Sequence, residues 1–89
     1  MGQDGENPSS VSRARTYEQV LPILRERGDS GRYLLAATLN NLGYLRRTQG
    51  DLTRANALYR EALPIERGLN LPVRFITLLS NVAFVEEDL

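Results

Sequence analysis

The chain has 89 residues, enough for one small domain with a modest core. Its apolar share of 42% contains no run long enough to cross a bilayer, which excludes a transmembrane helix. Eleven acidic residues balance eleven basic ones, all of them arginine, so no broad field draws nucleic acid. Cysteine and histidine are both absent. Disulfides and thiolate metal sites are therefore excluded, along with the commonest general base.

Residues 1–10, MGQDGENPSS, are polar and rich in Gly, Pro, Asn and Ser, and are expected to form a disordered arm. They carry no secretory pattern, and Glu6 stands where an N-myristoylation signal needs Ser or Thr. From Val11 onward Ala14, Tyr17, Leu21 and Leu24 recur at helical spacing and predict a first helix over about 11–27. Gly28-Asp29-Ser30-Gly31 is a turn signal. A second helix is predicted over about 33–48, with Leu35, Leu39, Leu42 and Gly43 on one face. Gly50 suits the left-handed end of that helix, and Asp51 suits the cap of the next. The third helix, about 52–67, carries Leu52, Ala55, Leu58, Tyr59, Ala62 and Leu63. Two apolar stripes joined by a short turn pack antiparallel. Pro72 opens a fourth helix over about 72–87, with Phe75, Leu79, Val82 and Val85 as its stripe. The expected fold is all-α, with the helical domain over residues 11–89.

The chain also repeats itself. Tyr17 to Ile23, YEQVLPI, matches Tyr59 to Ile65, YREALPI, at a separation of 59 − 17 = 42. Leu79, Asn81, Val82, Ala83 and Phe84 match Leu39, Asn41, Leu42, Gly43 and Tyr44 at a separation of 79 − 39 = 40. The order is thus a second-type helix, a complete pair, and a first-type helix. Pro22 and Pro64 recur in register, which predicts a bend near the end of each second-type helix. The fourth helix has no partner for its second apolar side, so self-association through the terminal helices is expected.

Leu39, Leu42, Gly43, Gly50, Ala55, Tyr59 and Ala62 are ordered as large, large, small, turn glycine, small, aromatic and small. In this order the central pair resembles a tetratricopeptide repeat, closest to the type found in kinesin light chains and bacterial regulators. Arg46 and Arg67 depart from the usual Tyr and closing Pro of that pattern. The resemblance implies helical hairpins that bind protein rather than catalyse. It implies a groove lined by the first helices of each pair, here Asn40, Asn41, Tyr44, Arg47, Ser80, Asn81 and Phe84. In relatives, asparagines placed like Asn41 and Asn81 pair with a peptide backbone, since a carboxamide offers a donor and an acceptor together. The other reading ties both asparagines into the contact between helices. Arg47 would meet a carboxylate, although Glu87 holds the matching place in the next copy.

The expected partner is a protein or peptide, together with further copies of the chain. No cofactor, metal or catalytic group is expected, and the expected location is cytoplasmic. The competing reading is a regulatory helical domain, alone or within a larger repeat-containing transcriptional regulator. There Arg46, Arg47, Arg54 and Arg60 would touch phosphate. The terminal acids Glu86, Glu87 and Asp88 could instead meet these arginines on another copy.

Overall fold

The structure, a computed structural model, describes residues 8–88; of the arm expected over residues 1–10, residues 1–7 lie outside the described residues, and residues 8–10 belong to the first helix instead. The chain forms α1 (Pro8–Glu26), a 3₁₀ turn (Gly28–Gly31), α2 (Arg32–Thr48), α3 (Leu52–Leu69) and α4 (Pro72–Asp88). The fold is all-α, and no strand occurs among the described residues.

The helices start and stop where local chemistry permits. α1 begins at Pro8, three residues ahead of the apolar spacing, because a proline suits the first turn. Gly50 takes a φ of 81°, a left-handed conformation that costs a side-chain-bearing residue energy. The Asp51 carboxylate accepts the Arg54 N–H at 3.2 Å and caps α3. Asn70 ends α3 at φ 59°, so an asparagine does the work often given to glycine. Pro22 and Pro64 both lie inside continuous helix, and both are exposed. Each helix runs on past its proline by about one further turn, to Glu26 and to Leu69.

Each helix packs on its sequence neighbours, with α2 and α4 also touching along one edge. The result is a slab of 42 × 28 × 19 Å. Tyr59, Leu39, Leu42, Leu78 and Val85 are fully buried at its centre. Gly43 sits directly against Tyr59: a Cβ there would lie 2.6 Å from the ring, so the two helices approach as closely as a bare backbone allows. Ala55 and Ala62 are fully buried too, as the small positions of the stripe require.

The α4 stripe differs from the expected one. Leu78, Val82 and Val85 are buried, whereas Leu79 is 42% exposed and Phe75 is half-buried. The reason is one-sided cover. Leu39, the counterpart of Leu79, is buried because α2 has a helix on each side. Among the described residues α4 is covered by α3 and touched along one edge by α2. Its residues facing α3 are therefore buried, and those facing away stay in water.

Candidate binding face

Helices α2 and α4 present a common face. Along α2 the residues Tyr33, Ala37, Asn40, Tyr44 and Arg47 recur at spacings of four, three, four and three, which makes one stripe. At about 1.5 Å per residue, this stripe is about 21 Å long. Its middle is closed by a hydrogen bond from Asn81 Nδ2 to Asn40 Oδ1 at 3.1 Å. That bond joins α2 to α4.

At the C-terminal end of the stripe stands Arg47. Its guanidinium carbon lies 4.8 Å from the Tyr44 ring centroid and 4.5 Å from that of Phe84. Both rings are about half exposed. Stacking on two rings holds the guanidinium plane while its N–H edge stays available to a carboxylate. Arg47 makes no ion pair among the described residues.

At the N-terminal end stands a second arginine with a different role. Arg74 lies 4.3 Å from the Tyr33 ring centroid and donates from Nη2 to Glu66 Oε2 at 2.6 Å. Its Nε donates to Oε1 at 3.1 Å and to Oε2 at 3.2 Å. Glu66 is 1% exposed, and these bonds compensate the burial of its charge. The same hydrogen bonds push the Arg74 guanidinium further up from its already high range. A shallow cavity of about 210 Å³ lies beside Arg74, lined also by Ala37, Asn40, Asn41, Glu66, Val73 and Thr77.

The structure therefore brings Asn40, Tyr44, Arg47, Asn81 and Phe84 together. Asn41 is exposed beside them and lines the shallow cavity. Ser80 is exposed and makes no side-chain hydrogen bond among the described residues. The two matched asparagines do not act as a pair. Asn81 is tied to Asn40 across the helix contact, whereas Asn41 is open to solvent.

Tyr33, Glu66 and Arg74 were not expected in the site. A signal for Glu66 exists in the sequence: Ala55, Tyr59, Ala62 and Glu66 follow one helical stripe, so the carboxylate points inward. Nothing local in the sequence pairs it with Arg74.

The opposite face, formed by α1 and α3, holds an open cleft of about 470 Å³. Leu21, Leu42 and Leu58 line it between two Arg–Glu bridges, Arg46 to Glu18 and Arg25 to Glu61. Arg25 donates to both Glu61 oxygens at 2.8 Å, which raises the guanidinium further. Arg60 pairs with Glu86 on α4, and Arg54 with Asp51. One expectation changes accordingly: Glu86 meets Arg60 within the chain rather than an arginine on another copy.

Among the described residues no helix is long and apolar enough to cross a membrane. The chain matches no protein-family model, no curated protein and no solved structure.

Proposed function

We propose that this chain is a tetratricopeptide-like protein-binding module that takes an acidic peptide segment along the α2/α4 face. Arg47 is the anchor in this reading. The observation that supports it is the guanidinium stacked on Tyr44 and Phe84, both rings about half exposed, without an ion pair among the described residues. An arginine left in that state is oriented before a ligand arrives, and orientation in advance lowers the entropy cost of binding. Asn41, open beside the stripe, offers a donor and an acceptor to the backbone of the same segment.

The phosphate-binding alternative has less in its favour. Of the four arginines it needs, Arg46, Arg54 and Arg60 already face carboxylates inside the chain. Their charge is cancelled locally, which weakens any pull on a polyanion.

Selection from a displayed random-peptide library tests the reading. Wild-type protein should enrich sequences with Asp, Glu or a free C-terminal carboxylate, and Arg47→Ala should lose that enrichment while keeping its helical spectrum. Enrichment unchanged by Arg47→Ala would refute it. So would binding of a labelled duplex DNA that weakens steeply with salt.

A further inference from the structure

We propose that copies of this chain dock head to tail, the open face of α4 in one copy covering the open face of α1 in the next. The surface involved is separate from the Arg47 site, and the proposal does not rest on that reading.

The two open faces are the halves of a contact that the chain already makes internally. Helix α2 covers α3 with Ala36, Leu39 and Gly43, all buried. The offset of 79 − 39 = 40 maps these onto Ile76, Leu79 and Ala83 of α4. All three are exposed, Ile76 by 62% and Leu79 by 42%. On the other side, α3 presents Tyr59, Ala62 and Ile65 toward the core. The offset of 59 − 17 = 42 maps these onto Tyr17, Val20 and Ile23 of α1. Tyr17 and Val20 are only partly buried, and Ile23 is 57% exposed. Each open face therefore carries apolar residues where its counterpart buries apolar ones, with the same leucine, tyrosine and isoleucine at Leu79, Tyr17 and Ile23 and larger side chains at Ile76, Ala83 and Val20.

The internal register predicts the external one. Gly43 packs on Tyr59, so Ala83 of one copy falls against Tyr17 of the next. In antiparallel helices, a step toward the C-terminus of one is a step toward the N-terminus of the other. One turn beyond Ala83 stand Glu86 and Glu87, and one turn before Tyr17 stands Arg13. Glu86 already holds Arg60, which leaves Glu87 to meet Arg13. Both are exposed, and neither makes an ion pair among the described residues. Apolar faces and opposite charges thus agree on one register, and they specify the second copy as the occupant.

The contact is looser than the internal one. Ala83 carries the methyl that Gly43 lacks, and in the internal hairpin that methyl would sit 2.6 Å from the tyrosine ring. The copies must stand slightly further apart, so assembly is concentration-dependent. Because the two surfaces differ, the contact does not stop at a dimer unless a ring closes.

Sedimentation velocity of the full chain over a concentration series tests this. Wild type should gain mass with concentration. Leu79→Glu blocks the α4 face and Ile23→Glu the α1 face, each at an exposed position, and each variant alone should be monomeric. Mixed in equal amounts, they should form a heterodimer and nothing larger, because each retains one intact face. Arg13→Glu alone should weaken assembly, and Arg13→Glu with Glu87→Arg should restore it. The proposal is overturned if wild type stays monomeric throughout, if Leu79→Glu assembles like wild type, or if the mixed variants do not pair. Circular dichroism spectra that superpose on wild type show that the substituted chains remain folded.

Discussion

Gly43→Ala pits helix propensity against sterics at a single atom. An added Cβ would lie 2.6 and 2.8 Å from Cε1 and Cδ1 of Tyr59 and 3.1 Å from Cζ. Carbon atoms pack comfortably at about 3.5–4.0 Å, so the ring or the helix must give by about an ångström. Tyr59 is fully buried, and so cannot swing into water to make room. Overpacking of this kind costs about 1–3 kcal/mol, while alanine in place of glycine inside a helix returns about 0.8–1 kcal/mol. The steric cost wins, with a net loss of about 1 kcal/mol and a fall in Tm of about 4–8 °C for a domain of this size. Urea denaturation followed by far-UV circular dichroism measures it, and the Tyr59→Leu background supplies the control. There the ring is gone, and Gly43→Ala should stabilise by about 0.8–1 kcal/mol. Gly68→Ala should also be neutral or stabilising, because its Cβ would meet only the mobile end of Arg32, 2.5 Å away at Nη2. If Gly43→Ala stabilises the wild-type chain, or acts equally in both backgrounds, the close-approach argument fails.

Other outcomes follow from buried polar groups and from turn geometry. Arg74→Ala strands the Glu66 carboxylate at 1% exposure, and should cost about 3–5 kcal/mol by chemical denaturation. Arg25→Ala, which breaks an exposed bridge to Glu61, should cost only about 0.2–1 kcal/mol. The Tyr59 hydroxyl is buried without a hydrogen-bond partner among the described residues, so Tyr59→Phe should be neutral or stabilising, by up to about 1–3 kcal/mol. Burial also raises the Tyr59 phenol above its ordinary value of 10.0, with Arg47 opposing the rise. As pH rises, the unfolded chain loses that proton first. The Tyr59 contribution is thus complete below the ordinary value, and is lost as pH climbs through the folded one. A wild-type stability curve that falls at high pH no more steeply than that of Tyr59→Phe would contradict this. Gly50→Ala, at φ 81°, should cost about 1–2 kcal/mol of left-handed strain in the same denaturation assay.

The four helices were legible because their apolar residues keep a steady period and Gly50-Asp51 marks the central turn. Gly43, Ala55 and Ala62 were legible as close-packing positions because small residues interrupt an otherwise large stripe. The stripe of α4 was legible only in part, at Val82 and Val85, because its period admits two neighbouring faces. Only the cover supplied by α3 decides that Leu78 goes inside and Leu79 does not. On the candidate face, Asn40, Tyr44 and Arg47 share one helix and so follow from spacing alone. The stacking of Phe84 on Arg47 and the bond from Asn81 to Asn40 depend on how α4 slides along α2. Internal matching placed those elements in approximate register, but not at the level of single hydrogen bonds. The ion pairs were least legible, since Arg25 and Glu61 stand 36 residues apart and long side chains choose among several neighbours.

Contacts between α1 and α2, between α2 and α3, and between α3 and α4 make the chain a row in which each rod leans mainly on the next. Such a row melts from its flanks inward. Amide hydrogen exchange should be slowest in the hairpin of α2 and α3 and quicker in the outer rods, without a single protection value for the whole chain. A neighbour seated on either flank would slow exchange there first, before any change in the middle of the row.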